Sequence, residues 1–183
     1  MKGYIEGFIK QLELAFEIGS AAEFDVGGEI VKNVLICGLG GSGIGGTVVT
    51  KAALVEASVP VVTCNDYDIP NFVDENTLVI ANSYSGNTEE TLAAVKKAQA
   101  KKAQIACVTS GGELKAFCEK NNYNHIVIPG GNPPRTCIAF SITEQLFILV
   151  EYGILPESIL TELGSTISLR KENDSEMRIE AKT

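Results

Sequence analysis

Short runs of consecutive apolar residues alternate along this chain with longer stretches whose apolar positions recur every three or four residues. Val34-Leu35-Ile36-Cys37 is the first such run, and it ends in glycines. The same grammar returns at 59–64 (with Pro60 near its start), 77–81, 104–109 and 125–128. Runs of four to six apolar, β-branched residues with no polar alternation are the pattern of strands buried on both faces, as in a parallel sheet. Between them the periodicity predicts helices over about 43–56, 87–102 and 112–121, and a further apolar helix over 137–152. The 87–102 segment is the clearest. Asn87 and Thr88 are suited to cap it, Glu89 and Glu90 occupy its first turn, and Lys96, Lys97, Lys101 and Lys102 lie at its end, complementing the helix dipole. Ahead of the first strand, residues 4–18 place Ile5, Phe8, Ile9, Leu12 and Phe16 on one helical face.

Strands that alternate with helices imply a parallel five-stranded sheet covered on both faces, a three-layer α/β/α sandwich. In a flavodoxin-like strand order, 2-1-3-4-5, the first and third strands are neighbours at the topological switch point, where ligands bind outside the carboxyl ends of the strands. Residues 1–155 read as one domain. After Pro156 the composition turns polar and charged, and 156–183 reads as a helix leading away from the domain and ending in a frayed tail. The 137–152 helix carries Phe140, Leu146, Phe147, Leu149 and Val150 nearly all round, which predicts a second covered face and a homodimer built on it.

Composition narrows the function classes. The chain has 183 residues, 45% of them hydrophobic, and a net charge of −8. That suits a compact domain and disfavours nucleic-acid binding, because an acidic surface repels a phosphate backbone. No apolar run reaches the roughly 18 residues of a membrane span, and the first six residues lack a signal-peptide core. Five cysteines at 37, 64, 107, 118 and 137 form no C-x-x-C pair, and one histidine leaves little for a zinc site. Free thiols point to a reducing compartment, the cytoplasm, and no metal or cofactor is expected.

Two loops carry the chemistry. Gly38-Leu39-Gly40-Gly41-Ser42-Gly43 follows the first strand and opens a helix, formally the G-x-G-x-x-G of a dinucleotide site, with Asp66 near the end of the second strand as a ribose partner. Asp66 lies 28 positions after Gly38, beyond the usual spacing of about 20, and sits in a polar stretch, Asn65-Asp66-Tyr67-Asp68. An NAD(P)-binding Rossmann domain is therefore the weaker alternative. Asn82-Ser83-Tyr84-Ser85-Gly86-Asn87-Thr88 follows the third strand and opens the well-capped helix. Ser83, Ser85 and Thr88 bring three hydroxyls, Gly86 permits close approach, and the first-turn N–H groups face the same space, a cup for a dianionic phosphate.

Ser83-Tyr84-Ser85-Gly86-Asn87-Thr88 after a strand resembles the S-x-S-G-x-T hallmark of sugar isomerase (SIS) domains. With Gly38 to Ile44, Glu89-Glu90-Thr91 and Pro133-Pro134-Arg135, residues from about 30 to 155 resemble the N-terminal half of the bifunctional phosphoglucose/phosphomannose isomerases. The resemblance implies a hexose 6-phosphate ligand held by Gly40, Gly41, Ser42, Ser83, Ser85, Asn87 and Thr88. It implies that Arg135, on a loop stiffened by two prolines, stabilises the enediolate of glucose 6-phosphate or mannose 6-phosphate interconversion with fructose 6-phosphate. A glutamate, a histidine and a lysine of that family belong to a second SIS domain, and this chain stops at Thr183, about where that domain is expected to begin. His125 precedes its apolar run and should lie at the opposite sheet edge; Glu144 and Glu151 read as packing rims or salt bridges. The chain is thus expected to bind hexose phosphate and to be catalytically incomplete alone. It pairs with a second copy or a second SIS domain, or else serves as a non-catalytic sugar-phosphate sensor.

Overall fold

The structure, a computed structural model, describes residue 3 and residues 7–180, the last seven of these as backbone only. Ile5 of the predicted first helix and the tail 181–183 lie outside the described residues. Five strands, β1 (Asn33–Cys37), β2 (Val61–Cys64), β3 (Thr77–Asn82), β4 (Gln104–Thr109) and β5 (Asn124–Val127), form one parallel sheet in the order β2-β1-β3-β4-β5. Among the described residues six helices accompany them: α1 (Phe8–Ala21), α2 (Gly41–Ala53), α3 (Glu89–Ala100), α4 (Gly112–Asn121), α5 (Ile138–Glu151) and α6 (Ser158–Glu180). A 3-10 turn, Pro134–Thr136, leads into α5. The three-layer α/β/α sandwich expected from the pattern is the fold observed.

Alternate residues of each central strand feed two separate cores. Val34, Ile36, Leu78, Ile80, Ala106, Val108 and Ile126 face one layer with Val49 of α2 and Phe140, Ile148 and Leu149 of α5. Leu35, Cys37, Val79, Ala81, Ile105 and Cys107 face the other with Leu92 and Val95 of α3 and Leu114 and Cys118 of α4. β3 is buried at all six positions, which is why its sequence reads as an unbroken apolar run.

Helix α5 departs from expectation. Its residues from Ala139 to Leu149 are buried apart from Ile142, but within this one chain. Helix α1 covers its outer side: Phe16 meets Phe147 edge-on with ring centroids 5.4 Å apart, and a Cβ at Gly19 would come within 2.1 Å of the Phe147 ring. Gln11 ties the two ends, donating to Thr136 O (2.9 Å) and accepting from Ala139 N (3.3 Å). Among the described residues α5 presents no broad exposed apolar face of the kind the sequence pattern suggested. The exposed apolar stripe lies instead on α2 and just beyond it, at Ile44, Val48, Leu54 and Val55. Helix α6 does not lead straight away either. Its first half lies along α1, with Ile167 buried, Gly164 against the Phe16 ring and Lys171 paired with Glu13 (2.7 Å).

Candidate functional site at the carboxyl edge of β1 and β3

Both anion loops emerge from neighbouring strands at the same sheet edge, and the structure stitches them together. Gly40 takes φ +58° and turns the chain from β1 into α2, so that the helix begins at Gly41, two residues earlier than predicted. Behind it, Asn82 at the end of β3 donates to Ser42 O (3.2 Å) and Ser141 Oγ (2.5 Å), and Tyr84 N donates to Ser42 Oγ (3.3 Å). The other glycines of the run serve packing: a Cβ at Gly45 would lie 1.9 Å from Ser141 Oγ, and one at Gly46 2.7 Å from Ile36. Helix α2 can settle this close to β1 and α5 only without side chains there.

The serine loop is folded on itself. The Ser83 and Thr88 hydroxyls share a hydrogen bond of 2.8 Å, so the pair keeps one O–H for an outside acceptor. Ser85 Oγ accepts from Asn87 N (3.2 Å), which leaves its own hydrogen to donate. Asn87 does not cap α3, as its position suggested; its Oδ1 accepts from Glu113 N (2.9 Å) and secures the start of α4. Thr88 is the N-cap residue by position, but its hydroxyl is turned to Ser83. Gly86, at φ +70°, sits where a Cβ would be 1.8 Å from Gly111 O.

Arg135 joins the same edge. At Gly41 an added Cβ would lie 3.1 Å from Pro134 O and 3.2 Å from Arg135 Cα, so the 3-10 turn rests directly on the start of α2. Tyr84 fixes the approach of that segment: its hydroxyl donates to Pro129 O (3.1 Å) and accepts from Asn132 N (2.9 Å). Neither Asn82 nor Tyr84 has a task that the sequence pattern alone shows. Their signal was a tyrosine and an amide inside an otherwise small, hydroxyl-rich loop. The arginine is exposed and makes no ion pair among the described residues. Two helix N-termini, α2 and α3, and the turn that carries Arg135 therefore lie at one open edge, an arrangement that favours an anion.

The family model for the SIS domain matches residues 31–151. The chain belongs to the SIS domain family. Among curated relatives, the bifunctional phosphoglucose/phosphomannose isomerase of Caldicellulosiruptor bescii is 41% identical over 160 residues, 87% of this chain and 47% of that protein. The same-named isomerase of Thermoplasma acidophilum is 45% identical over 109 residues, 60% of this chain and 33% of its own length. The chain thus spans about half the length, or less, of these relatives. A solved protein from Clostridium difficile, assigned as a phosphosugar isomerase, superposes with a TM-score of 0.69 at 21% identity, covering 98% of this chain and 53% of that one. The last likeness is one of fold.

Of the SIS-domain residues picked out from sequence, Gly40, Gly41, Ser42, Ser83, Ser85, Asn87, Thr88 and Arg135 all lie in the three segments brought together here. His125 is the second residue of β5 and its ring Nδ1 lies 3.0 Å from Tyr123 O. Clefts of about 450 Å³ beside Asp25, Lys102 and Tyr152, and about 390 Å³ beside Thr50, Leu54 and Pro60, open away from these loops. Their linings lack the convergent hydroxyls and helix N-termini of the loop edge, so size alone does not mark the site. Asp66, the ribose partner of the weaker alternative, is exposed and accepts from Tyr67 N (2.6 Å).

Glu144 corrects the rim reading. It is fully buried, neither carboxylate oxygen has a hydrogen-bond partner, and burial pushes its pKa up to about 9. At neutral pH it carries its proton, so it is no general base for this site. Among the described residues no His, Cys, Asp and Glu cluster could hold a metal ion, and no helix is long and apolar enough to cross a membrane.

Proposed function

We propose that this chain is the hexose 6-phosphate-binding unit of a cytoplasmic aldose–ketose isomerase. In this reading glucose 6-phosphate or mannose 6-phosphate is interconverted with fructose 6-phosphate through an enediolate. The convergence of the 40–42, 83–88 and 134–136 segments on one switch-point edge carries the reading. The phosphate sits at the α3 N-terminus, taking hydrogens from Ser85 and from the Ser83–Thr88 pair, with Asn87 at the rim. Gly40, Gly41 and Ser42 offer backbone N–H groups and one hydroxyl to the sugar. Arg135, on a turn clamped by Gly41 and Tyr84, places positive charge where the C1–C2 enediolate oxygens develop theirs, which lowers the barrier without a metal or cofactor.

Among the described residues no general base stands at this edge. Glu144 is protonated in the core, and Glu89 and Glu90 belong to the first turn of α3. Residues 1–155 are the binding unit; 156–183 leads toward a second SIS unit, which brings the base and the ring-opening group. A second copy of the chain would dock through the α2 stripe of Ile44, Val48, Leu54 and Val55 rather than through α5. Loss of a general base typically costs 10²–10⁴-fold in rate. A coupled assay on the purified chain should therefore show turnover far below the ~1–10³ per second of ordinary enzymes, while fructose 6-phosphate still raises its melting temperature. A normal rate would place the base within residues 1–183. Stabilisation by NAD and not by sugar phosphates would overturn the reading.

A further inference from the structure

Beside the glycine loop, on the side facing α3 and α4, two cysteines stand in register. Cys37 is the last residue of β1 and Cys64 the last of β2, and they are direct partners in the parallel ladder. Neighbouring strands run about 4.7–4.9 Å apart, inside the Cα separation of roughly 4.4–6.8 Å that a disulfide spans. Partners in a parallel ladder point to the same face. Here Cys37 belongs to the buried core on that face and Cys64 packs against it. Their access to solvent differs: Cys37 is 1% exposed, whereas Cys64 is only partly buried.

We propose that Cys64 and Cys37 form an oxidisable pair for hydroperoxides, Cys64 attacking the peroxide and Cys37 resolving the product into a disulfide. The electrostatics agree with this division of roles. The neighbouring Cys37 thiol, and then the Asp66 backbone N–H, lower the Cys64 thiol to about 6, against burial and the Asp66 and Asp68 carboxylates, which raise it. The neighbouring Cys64 and then burial hold the Cys37 thiol well above its ordinary value. As a thiol, Cys64 donates to Asp68 O (3.1 Å); as a thiolate it gives up that bond. A low-pKa, accessible thiolate next to a protected partner thiol is the arrangement from which sulfenic acids and then disulfides form.

In the first step the Cys64 thiolate attacks the outer peroxide oxygen, the O–O bond breaks, and the alcohol or water leaves after taking up a proton. Cys64 is oxidised by two electrons to the sulfenic acid. In the second, Cys37 loses its proton and attacks the Cys64 sulfur, the S–O bond breaks and water leaves. Two thiols and one hydroperoxide thus become one disulfide, one alcohol (or water) and one water. Cys107 and Cys118 are both wholly buried and out of reach of a hydroperoxide. The new bond would join the residue before Gly38 to the residue before Asn65, where Gly38 N already donates to Cys64 O (3.3 Å).

The test is hydrogen peroxide added to the reduced chain, followed by mass spectrometry of the intact protein and its peptides. The wild type should lose the mass of two hydrogens, yield a peptide pair joined through Cys37 and Cys64, and regain its mass with dithiothreitol. With Cys37→Ser the reaction should stop at a sulfenic acid on Cys64, trapped by dimedone. With Cys64→Ser the peroxide reaction should slow about tenfold or more, because the remaining thiols are all buried. Circular dichroism of each variant checks its fold, and the wild-type cross-link stands independently of both. Oxidised wild type without the 37–64 link, or a folded Cys64→Ser chain that oxidises as fast as wild type, overturns the proposal.

Discussion

Glu144→Gln should stabilise the protein, and the gain should grow with pH. The carboxyl is wholly buried in α5, has no hydrogen-bond partner on either oxygen, and burial lifts its pKa to about 9. An unfolded glutamate titrates near ~4.3. Because the folded value is the higher, the native state holds a proton that the unfolded chain releases between these values. Stability is therefore fullest below about pH 4, and falls as pH rises until the group titrates in the folded protein. Each pH unit in this window costs ~1.4 kcal/mol, so by pH 7 the loss is about 3–4 kcal/mol. That figure is the same whether the folded pKa is 8 or 10, since pH 7 lies below both. Glutamine keeps the shape and removes the proton. Urea unfolding at pH 5 and pH 7 should show wild type losing about 2–3 kcal/mol more than the variant over that interval. Parallel stability curves would mean that Glu144 is solvated or paired, and the buried-acid reading would fail.

Three further outcomes concern the loops. Ser85→Ala with Thr88→Val should weaken fructose 6-phosphate binding by about 1.5–3 kcal/mol per lost donor to the charged phosphate, with the far-ultraviolet spectrum intact; unchanged affinity in a calorimeter would move the phosphate elsewhere. Gly86→Ala places a Cβ 1.8 Å from Gly111 O at a φ of +70°, so thermal unfolding should show a loss of several kcal/mol, and a wild-type melting temperature would contradict the packing. Tyr84→Phe removes the hydroxyl between Pro129 O and Asn132 N. It should cost about 1–2 kcal/mol and speed amide exchange at 129–135, and unaltered exchange there would show that the tyrosine does not brace the Arg135 segment.

Much of the fold was legible because the central strands are buried on both faces. Val34–Cys37, Thr77–Ala81 and Gln104–Thr109 read as continuous apolar runs, and the loops that follow the first two of these carry the glycine and hydroxyl signals. What local pattern could not show was which partner covers which face. Helix α5 looks ready for another subunit because it is apolar all round, but Gly19 and Phe16 of α1, more than 120 residues earlier, cover its outer side. Asn87 sits where a helix cap belongs and yet bonds to Glu113 of the next helix, a contact that depends on β3 and β4 being neighbours. Glu144 looked like a rim residue since glutamates in amphipathic helices usually are, and only three-dimensional packing reveals it as an unpartnered acid.

The proposed hexose-phosphate site, built from the 40–42, 83–88 and 134–136 segments, can be read amide by amide. Titration of fructose 6-phosphate into the isotopically labelled chain, followed through its backbone amide resonances, tests this most directly. Saturable shifts are expected at Gly40, Gly41, Ser42, at Ser83 through Thr88, and at Arg135, with the Asp25–Lys102–Tyr152 cleft unmoved. Shifts confined to that cleft, or no saturable shifts at ligand concentrations up to about 10 mM, far above the affinity of a working sugar-phosphate site, would contradict it.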